Sequence, residues 1–183
     1  TGRLLKREHP GCKVVFIGPC SAKKLEASRQ EIRSDIDFVL TFEEVLGMFT
    51  AKGIDFEQIP ADGTLSDASA DGRGFAVSQG VASAVVNCIK ELEPGREMKV
   101  ANAEGLRNCR ELLEEARKGK YDGFLLEGMA CPGGCVGGAG TMQGPTKAKG
   151  QIVVTKKKSL KKNALESSYK DRLDLLAERG KLR

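Results

Sequence analysis

Cys131 and Cys135 stand four residues apart in C-P-G-G-C, flanked by Gly128, Gly137, Gly138 and Gly140. Two thiols in so glycine-rich a turn suit ligation of a soft metal or a cluster. Glycines let the backbone turn sharply and bring N–H groups close to a bound ion. Hydrogen bonds from such N–H groups to cluster sulfurs raise the reduction potential, so the glycines have an electronic role as well as a geometric one. A flexible loop with two incidental thiols accounts poorly for the pattern. A third thiol, Cys20, follows Gly18-Pro19 at the end of an apolar run. At the start of a helix its thiolate would be stabilised by the N-terminal dipole. Taken alone, Cys20 fits a structural role equally well. Lys23 and Lys24 lie within a helical turn of it, and Lys24 is expected in solvent.

The other three cysteines read as packing. Cys88 and Cys109 fall on the apolar stripes of their helices, where a thiol behaves as a small hydrophobe. Cys12 precedes the first strand and is expected to be buried or merely structural. Three ligand cysteines are one short of the four thiolates that a [4Fe–4S] cube takes, so the fourth is expected from a segment outside this chain. A zinc site of the same three cysteines completed by His9, the single histidine, is the alternative. CxxxC is an unusual zinc spacing.

Several classes are disfavoured by composition. The 183 residues are 40% hydrophobic and 30% charged, a globular and not a disordered balance. With no Trp and two Tyr, an aromatic nucleic-acid platform is not expected. No apolar run approaches the roughly 20 residues of a membrane helix. The basic opening TGRLLKREHPG is not followed by the apolar core of a secretory signal, and without an initiator Met the sequence reads as a processed or excised chain. Reduced, cytoplasmic cysteines fit this setting better than disulfides. The net charge of +5 is uneven: residues 146–183 carry a net +8 and the rest a net −3. A solvated basic tail is the expected reading, ahead of a nucleic-acid or acidic-partner patch.

The elements that must position these residues alternate. Lys13–Gly18 and Asp37–Leu40 read as strands, with a polar helix from Ser21 to about Ser34 between them. Thr41 and Glu44 form a capping box that opens a helix ending at Gly53. Residues 60–74 read as a loop. Ser78 is the expected cap of a helix carrying Val81, Val85, Cys88, Ile89 and Leu92, which Pro94-Gly95 ends. A strand at Lys99–Ala103, a helix from Leu106 to Arg117 and a strand at Asp122–Leu126 follow. Gln151–Thr155 reads as a short strand. Ser159 is the expected cap of an amphipathic terminal helix with Leu165, Tyr169, Leu173 and Leu176 on its inner face. The fold class expected is α/β, a small parallel sheet of about four strands flanked by helices, with a basic tail ending in an amphipathic helix. The expected division is 1–145 as a lobe and 146–183 as linker and terminal helix. Ligands in such sheets sit beyond the C-terminal ends of strands, and both cysteine loops follow strands.

These motifs resemble a known family. V-F-I-G-P-C-S-A-K-K-L-E (15–26) resembles the second cluster-binding motif of iron-only, or [FeFe], hydrogenases, and E-G-M-A-C-P-G-G-C-V-G-G-A-G (127–140) resembles the third. D-F-V-L-T-F-E-E (37–44) and G-F-A-V-S-Q-G-V (74–81) resemble the connecting segments, in the expected order. The resemblance implies the C-terminal lobe of a hydrogenase catalytic domain. It implies that Cys20 and Cys131 ligate the [4Fe–4S] cube of the H-cluster and that Cys135 bridges it to a two-iron subsite carrying CO and cyanide. Lys23 matches the lysine that donates to a cyanide, and Met129 a methionine lining the two-iron subsite. Implied partners are an N-terminal lobe of the same protein, holding the first motif, and a ferredoxin-like electron donor or acceptor. The isolated chain is then expected to carry an absent or incomplete cluster and to be inactive. The sequence departs from the family pattern at Gly18, where Met is usual, at Gln79, where Gly is usual, and at Ala139, Thr141 and Met142. K-K-L-E-A-S-R also resembles cytosolic iron–sulfur assembly factors, so a non-catalytic sensor or cluster-assembly module is the alternative function.

Overall fold

The structure, a computed structural model, describes residues 1–29, 35–60 and 68–172. Its chain divides into two compact units. The first holds the described residues of 1–63, 139–142 and 169–183; the second holds those of 64–138 and 143–168.

In the first unit α1 (Gly2–Glu8) leads to β1 (Val15–Ile17), α2 (Ala22–Ser28), β2 (Phe38–Leu40) and α3 (Phe42–Ala51). β1 and β2 pair in parallel from Val15↔Phe38 to Ile17↔Leu40, as β-branched and aromatic residues favour. Asp37 sets the alignment: its carboxylate accepts the Val14 N–H at 2.8 Å and lies 2.9 Å from the Lys6 ammonium. The Val14 N–H first, and Lys6 second, hold the Asp37 carboxyl below the ordinary carboxylate range. α3 opens on the expected capping box, with the Glu44 N–H donating to Thr41 Oγ1 and the Thr41 N–H to the Glu44 carboxylate. Leu4 and Val14 are buried, while Val15, Ile17 and Phe38 are 45%, 51% and 57% exposed.

The second unit runs α4 (Ala70–Gly74), α5 (Gly80–Leu92), β3 (Lys99–Glu104), α6 (Leu106–Arg117), β4 (Phe124–Met129) and α7 (Pro145–Lys157). β3 and β4 are parallel over six rungs, Lys99↔Phe124 to Glu104↔Met129. Ala82, Ala84, Leu112 and Val136 are its buried apolar residues. Parallel strands flanked by helices make the chain α/β, as expected. Among the described residues, however, the four strands form two separate pairs and not one sheet.

Other local expectations are overturned. Residues 70–74 are helical because Ser69 caps them, its hydroxyl accepting the Gly72 N–H at 3.0 Å; residues 61–67 of the expected loop lie outside the described residues. Gln151–Thr155 belongs to α7, which opens on Gly144-Pro145 with proline in its first turn. Proline pre-sets the helical φ there, and a short β-branched run does not override it. No continuous helix starts at Ser159: short 3-10 turns occupy Ala164–Glu166 and Lys170–Arg172, the first capped by Asn163 onto the Leu165 N–H. Leu173 and Leu176 lie outside the described residues, as do 30–34 of the helix expected to reach Ser34. No described helix is long and apolar enough to cross a membrane.

Candidate functional site

β4 ends at Met129 and delivers the chain into the cysteine turn. Gly133 and Gly134 take φ of +81° and +93°, a region closed to most side chains. The Gly134 N–H donates to the Cys131 carbonyl at 3.0 Å, and a 3-10 turn over Cys135–Gly137 follows. This turn is strapped to the residues that precede α5. The Ser78 N–H donates to the Gly133 carbonyl at 3.1 Å and the Val136 N–H to the Ala76 carbonyl at 3.0 Å. A Cβ at Gly134 would stand 2.5 Å from the Ser78 nitrogen and 2.8 Å from the Ala76 oxygen. Glycine is therefore required there by close approach as well as by φ. Both cysteines are half-buried thiols.

Two carboxylates that the sequence reading passed over organise the same region. Glu127, 7% exposed on β4, accepts the Gln79, Val81 and Ala82 N–H groups at the head of α5. It replaces Ser78 as the cap: α5 has no side-chain cap from its own flanking residue, Gln79. An isolated acid in the apolar run D-G-F-L-L-E-G-M was the available signal, since a buried carboxylate must find donors. Glu104, at the end of β3, accepts the Gly133 N–H at 2.7 Å. That bond is the foremost cause holding the Glu104 carboxyl below its usual range. Gln79 itself has φ +67°, the one non-glycine residue at positive φ among those described. Gln79 thus sits where glycine is favoured.

Met129 is half-buried on the last rung of β4, and its carbonyl accepts the Gly105 N–H at 2.8 Å. Behind it Cys109 directs its thiol to the Ala103 and Met129 carbonyls, at 3.4 and 3.5 Å. Cys88, Cys109 and Cys12 are each half-buried.

In the first unit Cys20 is half-buried in the turn between β1 and α2. Gly18 before it is explained by Phe16, whose ring would stand 2.7 Å from a Cβ at that position. A methionine does not fit there without moving the ring. Within the same unit the Gly140 N–H donates to the carbonyl of Pro19, the residue before Cys20, at 3.2 Å. Lys23 pairs with Glu26. Lys24 is exposed as expected, yet it is ion-paired with Glu44 and is the main cause of that carboxyl's lowered pKa. Within neither unit do three His, Cys, Asp or Glu side chains gather as a metal-ion site among the described residues.

The donor chemistry fits an iron–sulfur group. Thiolates are its usual ligands, Cys131 and Cys135 present two on a turn of closely packed glycine, and Cys20 presents another at a strand end.

A family model for the C-terminal domain of the iron-only hydrogenase large subunit matches residues 1–139. The periplasmic [Fe] hydrogenase large subunit of Nitratidesulfovibrio vulgaris is 30% identical over 159 residues, covering 69% of this chain and 38% of the relative. Cytosolic iron–sulfur assembly component 3 of Mus musculus is 31% identical over 169 residues, covering 72% of this chain and 36% of the relative. The chain thus spans well under half of the length of these relatives. In fold it is similar to a variant of the [FeFe]-hydrogenase HydA1 from Chlamydomonas reinhardtii, with a TM-score of 0.64 at 21% identity, over 94% of this chain and 62% of that one.

Proposed function

This chain belongs to the family formed by the C-terminal domains of iron-only hydrogenase large subunits, and from that premise we propose that it is the lobe of a hydrogenase that holds part of the H-cluster. Cys20 and Cys131 would hold a [4Fe–4S] cube, and Cys135 would hold both the cube and a two-iron subsite. The observation that carries this reading is the cysteine turn itself. Two half-buried thiols leave the C-terminal end of a parallel strand on glycines at positive φ, strapped to a neighbouring segment. Strand C-termini are where α/β folds bind ligands.

The cluster, when bound, supplies the electrons and the iron site for interconversion of protons and H₂. The chain's own residues hold and orient it. Gly133 and Gly134 let the backbone approach closely. Lys23 carries a cation one helical turn from Cys20, suited to donate to a cyanide ligand, with Glu26 as its ion-pair partner in this structure. Met129 would line the two-iron subsite. The fourth cube ligand and the proton relay lie on an N-terminal lobe of the same protein, and a ferredoxin-like protein exchanges electrons with the whole in the cytoplasm. The chain alone therefore does not turn over H₂.

A second reading, a cluster-assembly or sensor module with a cube and no two-iron subsite, is favoured by the match to cytosolic iron–sulfur assembly component 3. Infrared spectroscopy of the matured full-length protein separates the two. The hydrogenase reading requires CO and cyanide bands that Lys23→Met removes while the cube's EPR signal survives. Absent bands in the unaltered protein sink it in favour of the assembly reading. Bands surviving Lys23→Met at full intensity refute the role of Lys23.

A further inference from the structure

Gly133 lies midway between Cys131 and Cys135, and neither of its backbone hydrogen-bonding groups is satisfied within the turn. Its carbonyl accepts the Ser78 N–H at 3.1 Å. Its N–H donates to Glu104 Oε2 at 2.7 Å, across 29 residues of sequence. Glu104 is placed for this by the sheet. It occupies the last rung of β3, opposite Met129 on β4, and two residues beyond Met129 the chain reaches Cys131. The rung is closed by the Gly105 N–H on the Met129 carbonyl at 2.8 Å, and Gly105, at φ +81°, turns the backbone out of the strand. The carboxylate is therefore fixed at its root by strand pairing and reaches the turn with its tip.

We propose that Glu104 is a positioning residue for the cysteine turn, a carboxylate clamp on Gly133 that holds Cys131 and Cys135 in ligand-ready geometry before iron arrives. The inference rests on the reading of these thiols as cluster ligands. The chemistry favours a carboxylate in this role. A charge-assisted N–H···O bond is stronger than a neutral one, and a glycine turn loses much conformational freedom when ordered. Glu104 differs in this from Glu127, whose acceptors are spent on the head of α5. One strand end thus anchors the helix and its neighbour anchors the loop.

The test uses the intact chain, ¹⁵N-labelled, as wild type, Glu104→Ala and Glu104→Gln. Two readouts are taken: amide exchange by NMR, and uptake of iron from Fe²⁺ and inorganic sulfide under anaerobic conditions. In Glu104→Ala the Gly133 amide should exchange about tenfold faster, as expected for a lost local hydrogen bond. The amide of Leu112, a buried residue of α6, serves as the control and should keep its protection. Glu104→Gln, which retains an acceptor, should restore slow exchange and shift the Gly133 amide proton upfield, because a neutral acceptor polarises the N–H less. Iron uptake should be slowed several-fold in Glu104→Ala and restored in Glu104→Gln. Unchanged Gly133 exchange in a folded Glu104→Ala overturns the clamp. Should that variant lose Leu112 protection as well, Glu104→Gln decides, and an unmoved Gly133 resonance overturns the proposal. A loosened Gly133 with equal iron uptake in all three overturns its service to ligation. Where the isolated wild type takes up no iron, the amide data decide the clamp and uptake is compared in the full-length protein, in which absence of iron from the wild type defeats the cluster reading.

Discussion

Glu127 on β4 accepts the backbone N–H of Val81 at 3.0 Å, across 46 residues of sequence. With Ala82, also at 3.0 Å, and Gln79 it satisfies amides that a helix otherwise leaves without partners at its start. A negative charge there also opposes the positive end of the helix dipole. Glu127→Ala removes all of this from a nearly buried position and should cost about 2–3 kcal/mol. Urea denaturation followed by far-UV circular dichroism gives the number. A loss below about 0.5 kcal/mol would show that water or a local group replaces the carboxylate.

Gln79 at φ +67° holds a conformation that costs a side-chain-bearing residue roughly 1 kcal/mol. Glycine releases that cost but adds freedom to the unfolded chain. Gln79→Gly should therefore be neutral or stabilising, within about 1 kcal/mol. Gln79→Val, β-branched, should destabilise by about 1–2 kcal/mol. The same denaturation measurement ranks the pair, and the reverse order would contradict the strain.

Asp37 gives a pH dependence of defined sign. Its folded pKa is lowered, foremost by the Val14 N–H. The stability it contributes is therefore fully present above its unfolded pKa, about 4, and is lost as pH falls through the lower folded value. Asp37→Asn should weaken the first unit at neutral pH and flatten its loss of stability below about pH 4. Melting curves from pH 7 to 2 would show this, and parallel curves for the two proteins would exclude it.

Cys131→Ser and Cys135→Ser should each abolish most cluster-associated iron in the matured full-length protein, and so should Cys20→Ser, because each removes one of the thiolates proposed as ligands. Cys88→Ala and Cys109→Ala should leave it intact. Iron and acid-labile sulfide per protein, with EPR, provide the measure. Retention of iron in Cys20→Ser alone would restrict the site to the second unit.

What the sequence made legible was local. The capping box of Thr41 and Glu44 spans three residues and is present as read. The helix from Leu106 to Arg117 was bounded by its own apolar period and is reproduced residue for residue. The C-P-G-G-C turn stood out because its residue types have few other uses. What escaped was carried by long-range pairing. Ser78 looked like a cap by type, yet a carboxylate from β4 takes the amides instead. Glu104 gave no sign of its bond to Gly133, because only the β3–β4 register brings the two together. Val153 and Val154 suggested a strand, but weak propensity yields to a helix opened by Pro145. For the lysines, types and spacing identified the charges but not the partners, Glu26 and Glu44.

Every described strand has a single neighbour, and Val15, Ile17 and Phe38 of the first pair lie open to water. Parallel sheets are ordinarily covered on both faces, and a free strand edge is a template for further pairing. The consequence expected of such an edge is self-association that rises with protein concentration. A strand docked on that open edge would satisfy its unpaired backbone groups and cover the three side chains.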